Sequence, residues 1–320
     1  MTVTRFPHGV FATPNLGGAN VRGFPGLWTK QLIFVDGTNG ADDQDGFSTD
    51  TAKKTLGAAL TIAGRDDTIY IRPQAVGVRY TEHAVAAVTT KQGLSIIGTG
   101  IGRGNSVYQS CSFRGVLAVD SPVLTLNSSY TNVENLHFWS RAAQTITGFG
   151  ILMRWNTPVG LALNIGSSII NCSFTADVDD APAAGGATQN AIRMDSTEGQ
   201  LVEGCLFQNC RSAMSIGSTQ SASYSINIRG NQFMGLASNI AADIYMTDVV
   251  NVNIHENTFG HGVPSHAAGT LIKYVYCAGT VSGGMTNNTQ GAAAVVAATN
   301  NTLSGIICSG NKGLGGPWTS

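Results

Sequence analysis

Asn171-Cys172-Ser173-Phe174 is followed 33 residues later by Gly204-Cys205-Leu206-Phe207, and this pairing decides the fold. Each segment places a corner residue first, a small residue second and a phenylalanine fourth. The same signature stands earlier in the chain as Ser110-Cys111-Ser112-Phe113 and Asn135-Leu136-His137-Phe138. It returns shortened as Asn231-Gln232-Phe233 and Asn257-Thr258-Phe259. From Phe113 to Phe259 the steps between phenylalanines are 25, 36, 33, 26 and 26 residues. A signature recurring at such intervals marks a repeat architecture in which each unit buries its apolar face on the next.

Between these corners the chain alternates apolar and polar residues over short runs, as in Ser225-Ile226-Asn227-Ile228-Arg229 and Val250-Asn251-Val252-Asn253-Ile254. That period of two predicts short strands with one buried face. The Asn before each Phe suits a tight corner, because Asn tolerates left-handed backbone geometry. Stacked Asn and stacked Phe are therefore expected to form ladders along the solenoid. Cys111, Cys172 and Cys205 hold one position in the repeat, which predicts a ladder of small, buried, reduced side chains. The two longest steps predict loops within 139–165 and 176–195. Beyond Phe259 the pattern weakens to Thr286-Asn287-Asn288-Thr289 and Ser309-Gly310-Asn311-Lys312.

Composition agrees with this reading. The 320 residues carry 18 basic and 19 acidic side chains, a net charge of −1, and 40 glycines. Charged residues make up 12% of the chain, about half the usual share. No block of like charge is present, so neither nucleic acid nor an anionic membrane is expected as a partner. No apolar run approaches the ~18 residues of a membrane span, and Met1–Arg5 does not open a secretory signal. The six cysteines include no CxxC pair, which argues against zinc and redox motifs, and no cofactor is expected.

The region before the repeat has a different character. Residues 1–30, with Phe6-Pro7-His8-Gly9, Gly17-Gly18 and Gly23-Phe24-Pro25-Gly26, lack periodicity and read as an extended arm. Such an arm orders against a partner surface or against its own domain. Gln31–Val35 then reads as a strand, followed by an Asp-Gly-rich turn and a helix over about 55–64 capped by Thr55 and stopped by Gly64. Strands are expected at Thr68–Arg72 and Gly93–Gly98.

The string FVDGTNGADDQDGFSTDTAKKTLGAAL at 34–60, with DDTIYIRP at 66–73, Tyr80-Thr81-Glu82 and GLSIIG at 93–98, resembles the opening of pectate-lyase-like proteins. That resemblance implies an all-β, right-handed, single-stranded parallel β-helix over 31–320, with coils at about 68–312 and the helix capping its first turn. It is specific for fold and not for activity. Thr4-Arg5-Phe6-Pro7-His8-Gly9-Val10 is similar to the start of a group of phage virion proteins with β-helix-like bodies. This second resemblance implies a non-enzymatic virion structural protein, a capsid decoration (cement) protein or a head or tail fibre. The arm would attach it to a major capsid protein or tail component, with Arg5, Phe6, Pro7, His8, Phe11, Phe24 and Trp28 as contacts. A homotrimer on the particle, assembled in the host cytoplasm, is the accompanying expectation. The alternative is a tailspike-type glycan-degrading enzyme, or a receptor-binding spike without chemistry, acting on host surface polysaccharide.

For the alternative, paired carboxylates are required. The candidates are Asp177, Asp179 and Asp180 on the second predicted loop, with Asp195 and Glu198 at the start of the following coil. The same residues also read as solvated turns. Asp42, Asp43 and Asp45 are the candidates for calcium, set against an ordinary opening turn. His255-Glu256, with His261 and His266, read as surface histidines more readily than as a metal site. Gly98–Gly104 lacks the Lys-Ser/Thr ending of a phosphate loop. Trp139 and Trp155 suit either sugar stacking or an interface.

Overall fold

In the computed structural model, described residues are 31–75, 78–82, 88–100, 111–115, 122–139, 150–154, 164–175, 190–208, 210, 212–217, 222–235, 243–261, 275–291 and 306–311. They form a parallel β-helix: every strand pairing is parallel, and each strand meets its counterpart one coil away. No helix among the described residues is long and apolar enough to cross a membrane.

Each coil has three faces in chain order. The first carries Leu124–Leu126, Ile151–Arg154, Asn190–Asp195 and Ser212–Ile216. The second carries Thr68–Ile71, Ser95–Gly98, Asn132–Glu134, Ser168–Ile170, Leu201–Glu203 and Asn227–Arg229. In the last coils these two faces merge into the long bent strands Ile244–His255 and Val275–Thr286. The third face is an eight-stranded sheet running from Tyr80–Glu82 to Thr289–Gly291.

The two predicted loops are corrected in part. Ile151–Arg154 and Asn164–Ile165 fall inside the first, and Asn190–Asp195 closes the second. Ile151 pairs with Ile192 and Met153 with Met194, so apolar alternation keeps these stretches in the first face. The helix holds as expected: Leu56–Ile62, with the Thr55 side chain accepting from the Ala58 N–H.

The corners explain the abundance of Gly and Asn. Entering the second face, Asp66, Gly93, Tyr130, Gly166, Gly199, Ser225 and Asn251 all have φ between 54° and 74°. Leaving it, Asn135, Asn171, Gly204, Gly230, Glu256, Asn287 and Gly310 have φ between 51° and 65°. In the coils of Asn132–Glu134, Ser168–Ile170, Leu201–Glu203 and Asn227–Arg229 a left-handed residue at both corners turns the strand sharply without a long loop, and Gly and Asn meet that geometry at least cost.

The phenylalanine ladder is present and continuous. Tyr80, Phe113, Phe138, Phe174, Phe207, Phe233 and Phe259 stack with centroids 4.7–6.0 Å apart. All six phenylalanines are fully buried. Gln290 succeeds Phe259 in register, which ends the aromatic stack.

The asparagine ladder differs from the expected one. Asn135 and Asn171 are corner residues, as anticipated. Asn231 and Asn257 are not. Their corners are Gly230 and Glu256, and they themselves occupy the inward position held by Cys172 and Cys205 in earlier coils. Asn231, Asn257, Asn288 and Asn311 form a chain in which each Oδ1 accepts from the backbone N–H of the preceding coil at 2.9–3.0 Å. Each Nδ2 donates to a second-face carbonyl of the coil before, from Val202 to Met285. The cysteine thiols donate to the equivalent carbonyls, Cys172 to Val133 and Cys205 to Ile169. All six cysteines are free. Burial raises the pKa of Cys172, with a further contribution from neighbouring Cys205, so its thiol stays protonated and able to donate.

Candidate functional site

Of the carboxylates singled out from sequence, Asp177, Asp179 and Asp180 lie outside the described residues, as do Arg5, Phe6, Pro7, His8, Phe11, Phe24, Trp28, Trp155 and His266. Asp42 caps the helix entrance: its Oδ1 accepts from the Lys54 and Thr55 backbone N–H groups at 3.0 and 2.9 Å. Asp45 accepts from the Phe47 N–H at 3.0 Å and from the Thr51 hydroxyl. Asp43 sits exposed in the same turn. Among the described residues, no group of three or more His, Cys, Asp or Glu is placed to hold a metal ion.

Asp195 and Glu198 stand on different faces. Asp195 ends the first-face strand and pairs with Arg193 at 2.8 Å. Glu198 lies beyond the Ser196 corner, in register with Ile165 on one coil and Tyr224 on the next. His255 belongs to the second face, where its Nε2 meets Asn227 Oδ1 at 3.2 Å and its Nδ1 lies 3.8 Å from Glu256 Oε2.

Where these last elements meet, the surface is hollowed. An open groove of about 420 Å³ is lined by Ser225, Asn227, Asn251, Val252, Asn253 and the Gly283-Gly284 pair. The reason is local. Asn227, Asn253 and Gly284 follow one another in register along the outward side of the second face. The missing side chain of Gly284 opens the depression, since a Cβ built there would meet nothing within 4 Å. At the corner, Asn251 Nδ2 donates to Ser225 Oγ at 3.3 Å.

Beside the groove runs a ridge of exposed side chains. Tyr224 precedes Ser225 and is 38% exposed, and Glu198 and Val250 flank it on the adjoining coils. Further along, Tyr130 is 46% exposed, with its ring resting on Gly166. Farther out on the same face, Arg229 and Glu203 neutralise each other at 2.9 Å. The groove therefore offers amide and hydroxyl groups, each able to donate and accept, beside an aromatic ring.

Sequence reasoning found Glu198 and His255 but not the groove they adjoin. Asn227 and Asn253 are 26 residues apart, the same step as the phenylalanines, and that equality was the available signal.

No protein-family model matches this chain, and no curated protein matches it. Among solved structures, it is similar to the native GH136 lacto-N-biosidase from Eubacterium ramulus, with a TM-score of 0.54 and 13% identity over 81% of this chain and 51% of that one. The selenomethionine derivative of that protein aligns with a TM-score of 0.34 and 10% identity over 88% and 67% of the two chains. The chain thus spans about half the length of the native biosidase chain, and what the two share is the parallel β-helix fold.

Proposed function

We propose that this protein engages extended surface polysaccharide through the outward side of its second face, as a receptor-binding or tailspike-type β-helix. The observation that carries this reading is the groove, where Ser225, Asn227, Asn251 and Asn253 present amides and a hydroxyl beside exposed Tyr224. Sugar hydroxyls pair with such bifunctional groups, and the face of a pyranose stacks on an exposed ring. Successive coils repeat at about 4.8 Å, so equivalent side chains are spaced to contact successive sugars of a chain lying along the axis. The similarity of fold to a glycosidase supports the same reading. Cleavage, as distinct from binding, would need a carboxylate pair, and of Asp195 and Glu198 it is Glu198 that borders the groove.

The virion reading rests on residues 4–10 and on the arm to residue 30, which lie outside the described residues, and the comparisons add nothing to it. It is kept as the setting in which a glycan-engaging spike would act, with trimerisation and particle attachment as parts of that proposal.

Calorimetry against a panel of purified bacterial surface polysaccharides, with reducing-end release followed in parallel, tests the proposal. A binding glycan is expected, with affinity at least tenfold weaker in Asn253→Ala and Tyr224→Ala. Absence of binding across the panel, or unchanged affinity in both variants, overturns it.

A further inference from the structure

The outward side of the third face carries a second polar cluster, separate from the groove. Arg114, Trp139 and Thr175 follow one another in register on neighbouring coils, as do Ser112, His137 and Ser173. The Arg79 guanidinium lies over the Trp139 ring, 4.4 Å from its centroid. His137 packs edge-on to Trp139 at 5.5 Å and bridges Ser112 Oγ, 3.3 Å from Nδ1, and Thr175 Oγ1, 3.1 Å from Nε2.

Arg114 Nε and Trp139 Nε1 are both buried from solvent, and among the described residues both lack a hydrogen-bond partner. Leaving a buried N–H unpaired costs about 1–3 kcal/mol, and more for a charged group. Among the described residues Arg114 belongs to no ion pair. Ser112, His137 and Ser173 are fully buried, whereas the side chains of Arg114 and Trp139 are otherwise half-buried, so a ligand reaches the two donors from the exposed edges of these two residues. The Arg79 charge is felt within the cluster: the pKa of His137 is pushed down to about 4, by burial first and by Arg79 second.

We infer that Arg114 and Trp139, with Arg79 stacked above, form an oxyanion-binding site on the outer surface of the third face. The missing acceptor is an oxygen of a carboxylate, sulfate or phosphate group. Guanidinium and indole N–H groups both suit that ligand, and charge-assisted bonds of this kind are about twice as strong as neutral ones. The anion is carried on an acidic sugar, if the glycan reading of the groove holds, or is a small free ion; both present the same oxygens.

Calorimetry on the full chain with glucuronic acid, sulfate, acetate and glucose tests this. At least one oxyanion is expected to bind saturably, more weakly as salt rises, while glucose gives no signal. Arg114→Gln should weaken binding at least tenfold, and Trp139→Phe, which keeps the ring but removes the N–H, at least threefold. Glucuronic acid binding tenfold tighter than acetate and sulfate assigns the site to an acidic sugar; equal or tighter binding of the small ions assigns it to a free anion. No binding by any of the three, or wild-type affinity in Trp139→Phe with its thermal unfolding unchanged, overturns the site. Asn253→Ala leaves the anion affinity unchanged, so failure here stays separate from failure of the groove.

Discussion

The backbone N–H of Cys205 donates to Oδ1 of Asn231 on the next coil at 2.9 Å, and that bond marks where the inward ladder changes from thiols to amides. Before it, Cys111, Leu136, Cys172 and Cys205 fill the position with apolar volume, and the thiols donate only weakly to the coil behind. After it, each amide bonds in both directions along the axis. At this position the C-terminal coils therefore carry a continuous polar ladder where the earlier coils carry thiols and Leu136.

Substitutions along the ladder should separate the two halves. Asn257→Ala removes the acceptor used by the Asn231 N–H and Nδ2, and the donor that reaches Ile228 O and Asn288 Oδ1. Several buried partners are orphaned together, so a loss of roughly 3–5 kcal/mol is expected. Cys205→Ala removes one weak donor and a small volume, for a loss of about 1 kcal/mol. Urea denaturation of both variants checks the contrast, and equal losses would refute the polar-ladder account.

Much of this framework was legible in the chain. The Phe interval located the third face, and the alternation of Val252 and Ile254 with Asn251 and Asn253 told inside from outside. The two roles of Asn are separated by an offset of one residue: Asn171 lies three residues before its Phe and is a left-handed corner, whereas Asn257 lies two before and is a ladder rung. The groove depends on register between residues on three coils and on Gly283-Gly284, which in sequence resembles any other turn. The unpaired donors of Arg114 and Trp139 depend on side-chain burial, which periodicity alone does not predict.

Phe207 tests the aromatic stack. It lies between Phe174 and Phe233 at 5.0 and 5.1 Å, within 8° of parallel to each. Phe207→Ala should cost about 3–5 kcal/mol through lost burial and the cavity left behind. Phe207→Leu should cost less than half as much, because it refills most of the volume. Thermal unfolding of the two variants gives the ratio.

His137 should make the fold acid-sensitive well above the carboxylate range. Its imidazole is neutral when folded, with a pKa of about 4 against 6.5 unfolded, because burial disfavours the charge and Arg79 adds repulsion. The unfolded chain takes up the proton first. This contribution is complete above pH 6.5 and is lost as pH falls from 6.5 towards 4, up to about 3 kcal/mol in all. Asp36 acts in a lower window. Burial alone would raise its pKa, but hydrogen bonds from Asn39, Thr38 and Arg72 hold it below 3.8, so its contribution is lost only as pH falls below that value. Unfolding free energy measured from pH 7.5 to 4.5 should decline in the wild type and stay flatter in His137→Gln. Parallel curves would remove His137 from the account.

The Gly283-Gly284 pair allows binding to be separated from folding, because the two glycines answer to different constraints. At Gly283, with φ of +147°, an added Cβ would collide with the Val252 carbonyl, so Gly283→Ala should strain the backbone and lower the melting temperature by several degrees. At Gly284 an added Cβ meets open space, and a β-branched residue favours the strand it would join. Gly284→Val should therefore leave the melting temperature unchanged or slightly raised while filling the floor beside Asn253. If the groove holds polysaccharide, this variant loses at least tenfold in affinity with its fold intact. Full affinity retained in a folded Gly284→Val protein would move the binding site off the groove.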